Sequence, residues 1–231
     1  MNTSSKSDFD IKIIRTNRRK TASVRIDAGV VQITVPNVLS DKSIQDIIDS
    51  KSTWIDEKLQ LQSSIPPLRP KQYVSGETFS YLGKKYRLKL TNNSAQTAKL
   101  KRGELLISTK HDSSEEHIKH QISQWYWLHA EHHLKDKTSR YAEILKVIPK
   151  SVSLKNYKAR WGSCTITNDI IYNWKIIIAP SRIVDYVVVH ELSHIHEHNH
   201  SPSFWKLVSK VIPDYKDCRE WLKINGQTLN I

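Results

Sequence analysis

His190-Glu191-Leu192-Ser193-His194 sets two imidazoles four residues apart with a carboxylate between them. On a helix, residues four apart lie about 40° apart around the axis and one turn apart along it, so both rings can bind one metal from a single face. Glu191 lies about 100° around from His190, where it can reach a water on that metal without ligating it. Zinc held this way acidifies the water, and the carboxylate takes its proton. In a chain with 11 histidines, such a pentapeptide arises by chance about 0.02 times. It is read as a metal site.

A catalytic zinc usually has three protein ligands and one open position. The candidates for the third are His196, His198 and His200. On a continuing helix, His198 lies about 12 Å along the axis from His190, and His196 projects about 200° away from His194. Geometry disfavours both. A chain that turns back at Asn199, before Pro202 opens the next element, brings His200 into range.

These residues need elements to hold them. Ser181 opens the metal-bearing helix, expected to run to about Glu197, with Val184, Val188, Leu192 and Ile195 as its apolar stripe. Helices are also expected from Pro202 to Ile212 and from Tyr215 to Ile224. Upstream, a long helix begins at Asp112, with Ile118, Ile122, Trp125 and Leu128 as its core stripe, and Pro149 stops it. Strands are expected at Val152 to Tyr157 and Ile170 to Trp174. Nearer the start, Ser40-Asp41 caps a helix carrying Ile44, Ile47, Ile48, Trp54, Ile55 and Leu59. Short strands surround it: Phe9 to Ile14, Ser23 to Arg25, Val30 to Val35, Thr78 to Leu82, Lys85 to Leu90, Ala98 to Lys101 and Glu104 to Ser108. The layout is α+β, strands first and helices with a small sheet after.

Residues 187 to 207, VVVHELSHIHEHNHSPSFWKL, resemble the active-site region of the YgjP-like metallopeptidases, relatives of the SprT and WLM groups among the zincins. Further matches recur in order: Arg18-Arg19-Lys20, Trp54-Ile55, Tyr81-Leu82-Gly83, the stretch from Lys158 through Arg160-Trp161-Gly162 to Cys164, Asn173-Trp174 and Trp221-Leu222. The resemblance implies zinc on His190, His194 and His200, with Glu191 as general base. It also implies a strand-rich region over 1–110 followed by a minimal zincin-like metallopeptidase core over 111–231. Ser193 stands where the family often has alanine.

Arg160 is a candidate for binding a substrate anion or stabilising an oxyanion, whereas Trp161 and Gly162 read as packing. Cys164 and Cys218 have no zinc-ligand spacing and no disulfide framework, so a reducing compartment is the simpler reading. Cys164 is read as a buried structural thiol. Trp125-Tyr126-Trp127 invites comparison with a base-stacking platform, but successive helix positions point three ways, which places Trp125 in the core.

Lys and Arg total 36 against 23 acids, a net charge of +13. The surplus favours anionic partners without choosing among them. Basic clusters at Arg15 to Lys20 and Lys99 to Arg102 sit at expected turns, and such clusters become binding sites when a fold gathers them on one face. No signal peptide or ~20-residue apolar span is present. The reading is a cytoplasmic, non-membrane zinc hydrolase acting on a peptide or protein. Hydrolysis of an anionic nucleotide's phosphoanhydride, or a nucleic-acid or protein-binding module with a structural metal, are the alternatives. An intact Glu191 argues against the binding module, since a structural site needs no base.

Overall fold

The structure, a computed structural model, describes residues 10–17, 21–27, 29–64, 70–92, 98–109 and 114–231. Arg18, Arg19, Lys20 and Asp112 lie outside them. The chain divides into two compact units, 1–68 and 69–231.

In the first unit, β1 (Ile11–Thr16), β2 (Ser23–Asp27) and β3 (Val30–Pro36) form a sheet in the order β1-β3-β2, with β1 parallel and β2 antiparallel to β3. Alternation along β3 buries Val31, Ile33 and Val35 completely. They share a core with Ile44, Ile48 and Ile55 of α1 (Asp41–Ser64). Trp54, expected on that stripe, is 39% exposed. Arg15, read from sequence as part of a solvated cluster, is tied down: it donates to the carbonyls of Asn37 and Leu39 and pairs with Asp41 at 2.6 Å.

Among the described residues, the second unit contains two sheets and four α-helices. The first sheet has the order β4-β5-β7-β6, from β4 (Thr78–Tyr81), β5 (Lys84–Thr91), β6 (Lys99–Lys101) and β7 (Glu104–Ser108). The second has the order β8-β10-β9, from β8 (Ser151–Lys155), β9 (Gly162–Cys164) and β10 (Asp169–Asn173). In both, the first strand of a trio is parallel to the third, and the second is antiparallel to it. The expected division between 110 and 111 differs from the observed one. Phe79, Leu88, Leu105 and Ile107 of the first sheet share one core with Ile118, Ile122, Trp125 and Tyr126, so those strands belong with the helices.

Helix α2 (Glu115–Leu145) is capped by Ser114, whose side chain accepts from the His117 N–H, and ends at Lys146 in the left-handed conformation, ahead of Pro149. Its buried stripe repeats every four residues through Ile118, Ile122, Tyr126, Ala130, Leu134, Thr138 and Ala142. A four-residue repeat drifts about 40° per step, so the stripe winds around the helix. Leu128, expected in the core, falls off it and is 65% exposed. Of the aromatic triplet, Trp125 and Tyr126 are core and Trp127 is partly exposed, which ends the stacking-platform idea.

Helix α3 (Ser181–Ser193) runs through the middle of this core. Every residue from Tyr186 to Ser193 except His190 is buried, so more than one stripe faces apolar neighbours. Three polar links fix the surrounding frame: Lys137 of α2 pairs with Asp185, the Tyr172 hydroxyl of β10 meets Thr138, and the Tyr126 hydroxyl donates to the Ser80 carbonyl of β4. A 3-10 segment, Trp174–Ile178, leads into α3, and the β4–β5 turn docks on it through Leu82 N–H to the Ile177 carbonyl. Helices α4 (Pro202–Val211) and α5 (Tyr215–Asn225) complete the unit. No helix among the described residues is long and apolar enough to cross a membrane.

Candidate metal centre

Helix α3 ends at Ser193, earlier than its apolar pattern suggests. Residues 194–196 turn, and His194 closes the turn by donating from Nδ1 to the Glu197 carbonyl at 3.0 Å. A carbonyl only accepts, so this bond puts the His194 proton on Nδ1 and leaves the Nε2 lone pair free. Ser193 is fully buried and its hydroxyl returns to the Val189 carbonyl. Seven residues after Ser193 the chain reaches His200, just before α4. There Ser201 caps the helix by accepting from the Phe204 N–H, with Pro202 in the first turn.

The result brings His190, His194 and His200 together, with one nitrogen from each lying within 4.8 Å of the other two. Nε2 of His200 is 3.0 Å from Nε2 of His190. This cluster can hold a metal ion. His196 and His198 do not join it; both are exposed, and His196 meets the Leu145 carbonyl.

Burial pushes the His190 imidazole down to about 3, helped by His194, His200 and Arg219. His194 and His200 are lowered too, chiefly by burial. Neutral rings at neutral pH are what a cation requires of its ligands.

An aromatic floor supports the triad. Phe204 is fully buried, with its ring centroid 4.5 Å from His194, 4.8 Å from His200 and 5.0 Å from His190. Trp205 stacks on His200 at 5.5 Å and 22°, Tyr215 stacks on Trp205 at 5.1 Å and 17°, and the Arg219 guanidinium lies 5.2 Å over Trp205. Tyr186, one turn before His190, has its hydroxyl 3.5 Å from His190 Nδ1. Sequence reading assigned no role to any of these five. Helical spacing marks Tyr186 and Tyr215 only as ordinary core positions.

Glu191 is 6% exposed, and its carboxylate has no hydrogen-bond partner among the described residues. Burial pushes its pKa up to about 8 against the opposing charge of Arg160. Its oxygens are not among the fully enclosed side-chain atoms that lack a partner, so the carboxylate keeps some contact with solvent. Arg160 itself is exposed, makes no ion pair with Glu191, and lies 5.5 Å over the Tyr157 ring. Its loop is held by Asn173, whose Nδ2 donates to the carbonyls of Tyr157 and Arg160 and whose N–H donates to that of Trp161. Asn173 is thus the hub of the segment, a role that residue type alone did not reveal. Trp161 packs on the core and touches the position a Cβ on Gly226 would occupy. Cys164 is half-buried, joins no metal cluster, and burial raises its thiol to about 11.

Among curated proteins there is no match. Among solved structures, the crystal structure of the metallopeptidase zymogen of Pyrococcus abyssi abylysin is similar over 39% of this chain and 94% of that one, at 23% identity and a TM-score of 0.36. Residues 20–225 match the family described as YgjP-like, metallopeptidase domain. That match takes in both the histidine triad and the loop that Asn173 holds, and on its extent the chain belongs to the YgjP-like family.

Proposed function

We propose that this metallopeptidase-family protein hydrolyses peptide bonds at a zinc ion held by His190, His194 and His200, with Glu191 as general base. The observation that carries the reading is the buried, unpartnered Glu191 carboxylate, next in sequence to one member of a neutral three-histidine cluster. Three neutral imidazoles suit a catalytic zinc, whose fourth position would take water or substrate. When bound, zinc supplies Lewis acidity toward water and toward a carbonyl. Glu191 accepts the proton that water loses and returns it to the leaving amine. A carboxylate pushed up toward neutral pH can do both. Arg160, whose charge opposes the upward shift of Glu191, is suited to a substrate carboxylate or developing oxyanion. Two unpaired cysteines support a reducing, cytoplasmic setting.

The test combines metal analysis with a peptide and protein substrate screen on wild type and Glu191→Gln. The expected result is about one zinc per chain in both and at least ~10²-fold lower kcat in the variant. His190→Ala and His194→Ala should lose the metal. Turnover of a nucleoside triphosphate with no peptide cleavage would move the reading to phosphoanhydride hydrolysis. Full activity in Glu191→Gln would remove the base from the mechanism.

A further inference from the structure

The β4–β7 sheet has one face in the core and the other in solvent. On β5, Leu88 is buried while Tyr86 and Leu90 pack against the core; Lys85, Arg87 and Lys89 are exposed on the opposite side. On β6, Leu100 points inward, and Lys99 and Lys101 point out. The β6–β7 turn then sets Arg102 and Gly103 at φ 51° and 80°, and places Arg102 at the end of the same sheet. Among the described residues, six cations therefore share one face with one acid, Glu104, which lies 3.3 Å from Lys89. Among the described residues the other five have no ion-pair partner.

The register orders these charges. Arg87 and Lys101 flank Glu104, and Lys89 and Lys99 flank Leu106. Leu106 is only 8% exposed although it belongs to neither apolar core, as expected if the two lysine stems cover it. Two cationic rows thus run along the sheet, on β5 and β6, about 9–10 Å apart, with about 6.7 Å between charges within a row. A cleft of about 490 Å³ opens at the Arg102 end, where the cations Lys85, Arg87 and Arg102 outnumber the one acid, Glu104, with Thr78, Tyr86 and Gly103 completing the lining.

We infer that this face binds the phosphate backbone of double-stranded nucleic acid, independently of base sequence. A repeating array of cations, all but Lys89 without an ion-pair partner among the described residues, is complementary to a repeating array of phosphates, and a duplex carries one charge per ~1.7 Å of its axis. The two outward rows contain no aromatic ring on which an unpaired base could stack, which disfavours single strands. None of the exposed large apolar side chains lies on this face, so it has no anchor for a bilayer. The contacts would go to phosphates, which position a protein on a duplex without reading its sequence.

The test is fluorescence anisotropy of the intact protein with a short DNA duplex between ~50 and ~200 mM salt. The triple variant Lys85→Gln, Arg87→Gln, Lys101→Gln should bind at least ~10-fold more weakly and lose about 2–3 from the slope of log K against log salt. A control triple with the same charge change elsewhere on this unit, Lys146→Gln, Lys150→Gln, Lys155→Gln, should keep the slope. The charge-keeping triple Lys85→Arg, Arg87→Lys, Lys101→Arg should also keep it, which separates charge from fold damage. The inference is overturned if wild type does not bind the duplex, or if the control triple loses as much slope as the sheet triple. Equal or tighter binding to anionic vesicles, to poly-glutamate or to a single strand overturns it as well. None of these readouts depends on zinc or on peptide cleavage.

Discussion

Gly162 lies so close to Glu191 that a Cβ built on it would fall 2.6 Å from both Cγ and Oε1 of the glutamate. The β9 backbone therefore forms one wall of the space in which the carboxylate sits. A side chain there must displace Glu191, because real Cβ atoms essentially never show contacts under 3.0 Å. Gly162→Ala should keep zinc, since no ligand is touched, and lower kcat by roughly 10²-fold, the usual cost of a displaced catalytic group. Zinc content and steady-state kinetics on the purified variant check this. Undiminished kcat would mean that the position of Glu191 is not critical.

The stack of Trp205 on His200 gives a second prediction. His200 stands on a loop and is exposed, so its ring orientation depends on what it packs against. Trp205→Ala should weaken zinc binding about 10-fold, within the range for groups that orient a metal ligand, and Trp205→Phe should recover most of it. His196→Ala and His198→Ala should leave affinity unchanged. Competition with a chelator measures all four without any substrate.

Two glycines separate conformational strain from crowding. Gly83 and Gly103 both have φ near 80°, but a Cβ on Gly83 would meet the Pro180 backbone at 2.8 Å, and one on Gly103 would meet nothing within 4 Å. Gly103→Ala should cost about 1 kcal/mol, the left-handed penalty alone. Gly83→Ala should cost a further ~1–3 kcal/mol from overpacking, because Pro180 opens α3 and cannot easily move. Denaturant titration of the two variants gives the difference directly.

A pH effect should come from Asp169. It is half-buried, and Ser151, Thr167 and Thr165 donate hydroxyl hydrogen bonds to it, the first two doing most to hold its carboxyl below the usual range. The sign follows from the depressed folded-state pKa. Its contribution is complete above the unfolded value of about 3.9 and is lost as pH falls through the lower folded value. The stability advantage of wild type over Asp169→Asn should therefore be constant from neutral pH down to about 5 and shrink below about 4. Urea denaturation across that range tests it, and a constant gap at all pH values would remove Asp169 as the source.

Much of this was legible from residue types and spacing. The strand and helix positions around Val31-Ile33-Val35, Ser181 and Pro202 follow from periodicity and punctuation, and the histidine pair follows from helical geometry. The early stop at Ser193 was not legible, because it is made by the His194–Glu197 bond and not by a helix breaker. Leu128 shows the same limit: the stripe reads correctly through Ile118, Ile122 and Trp125, about two turns, and misses at Leu128, since the burial path is set by what α2 packs against. Gly162 reads as a packing residue and Asn173 as part of a strand, but their proximity to Glu191 and to the Arg160 loop comes from tertiary contact.

The shared connectivity of the three sheets has a consequence for chain entropy. Parallel strands need a crossover of about a dozen residues or more, usually a helix. Here the chain fills each crossover with an antiparallel strand instead: β2 between β1 and β3, β6 between β5 and β7, β9 between β8 and β10. Each sheet trio therefore closes within a contiguous stretch, over 11–36, 84–108 and 151–173. The length-dependent cost of closing such a loop is only about 2 kcal/mol. Parallel pairing, ordinarily a long-range and slow event, is reached at short sequence separation, which keeps the contact order of the sheets low. The long-range part of folding is left to the helices: α3, which carries His190 and leads into His194, is held by Lys137 on Asp185, and the segment before it by Leu82 on Ile177.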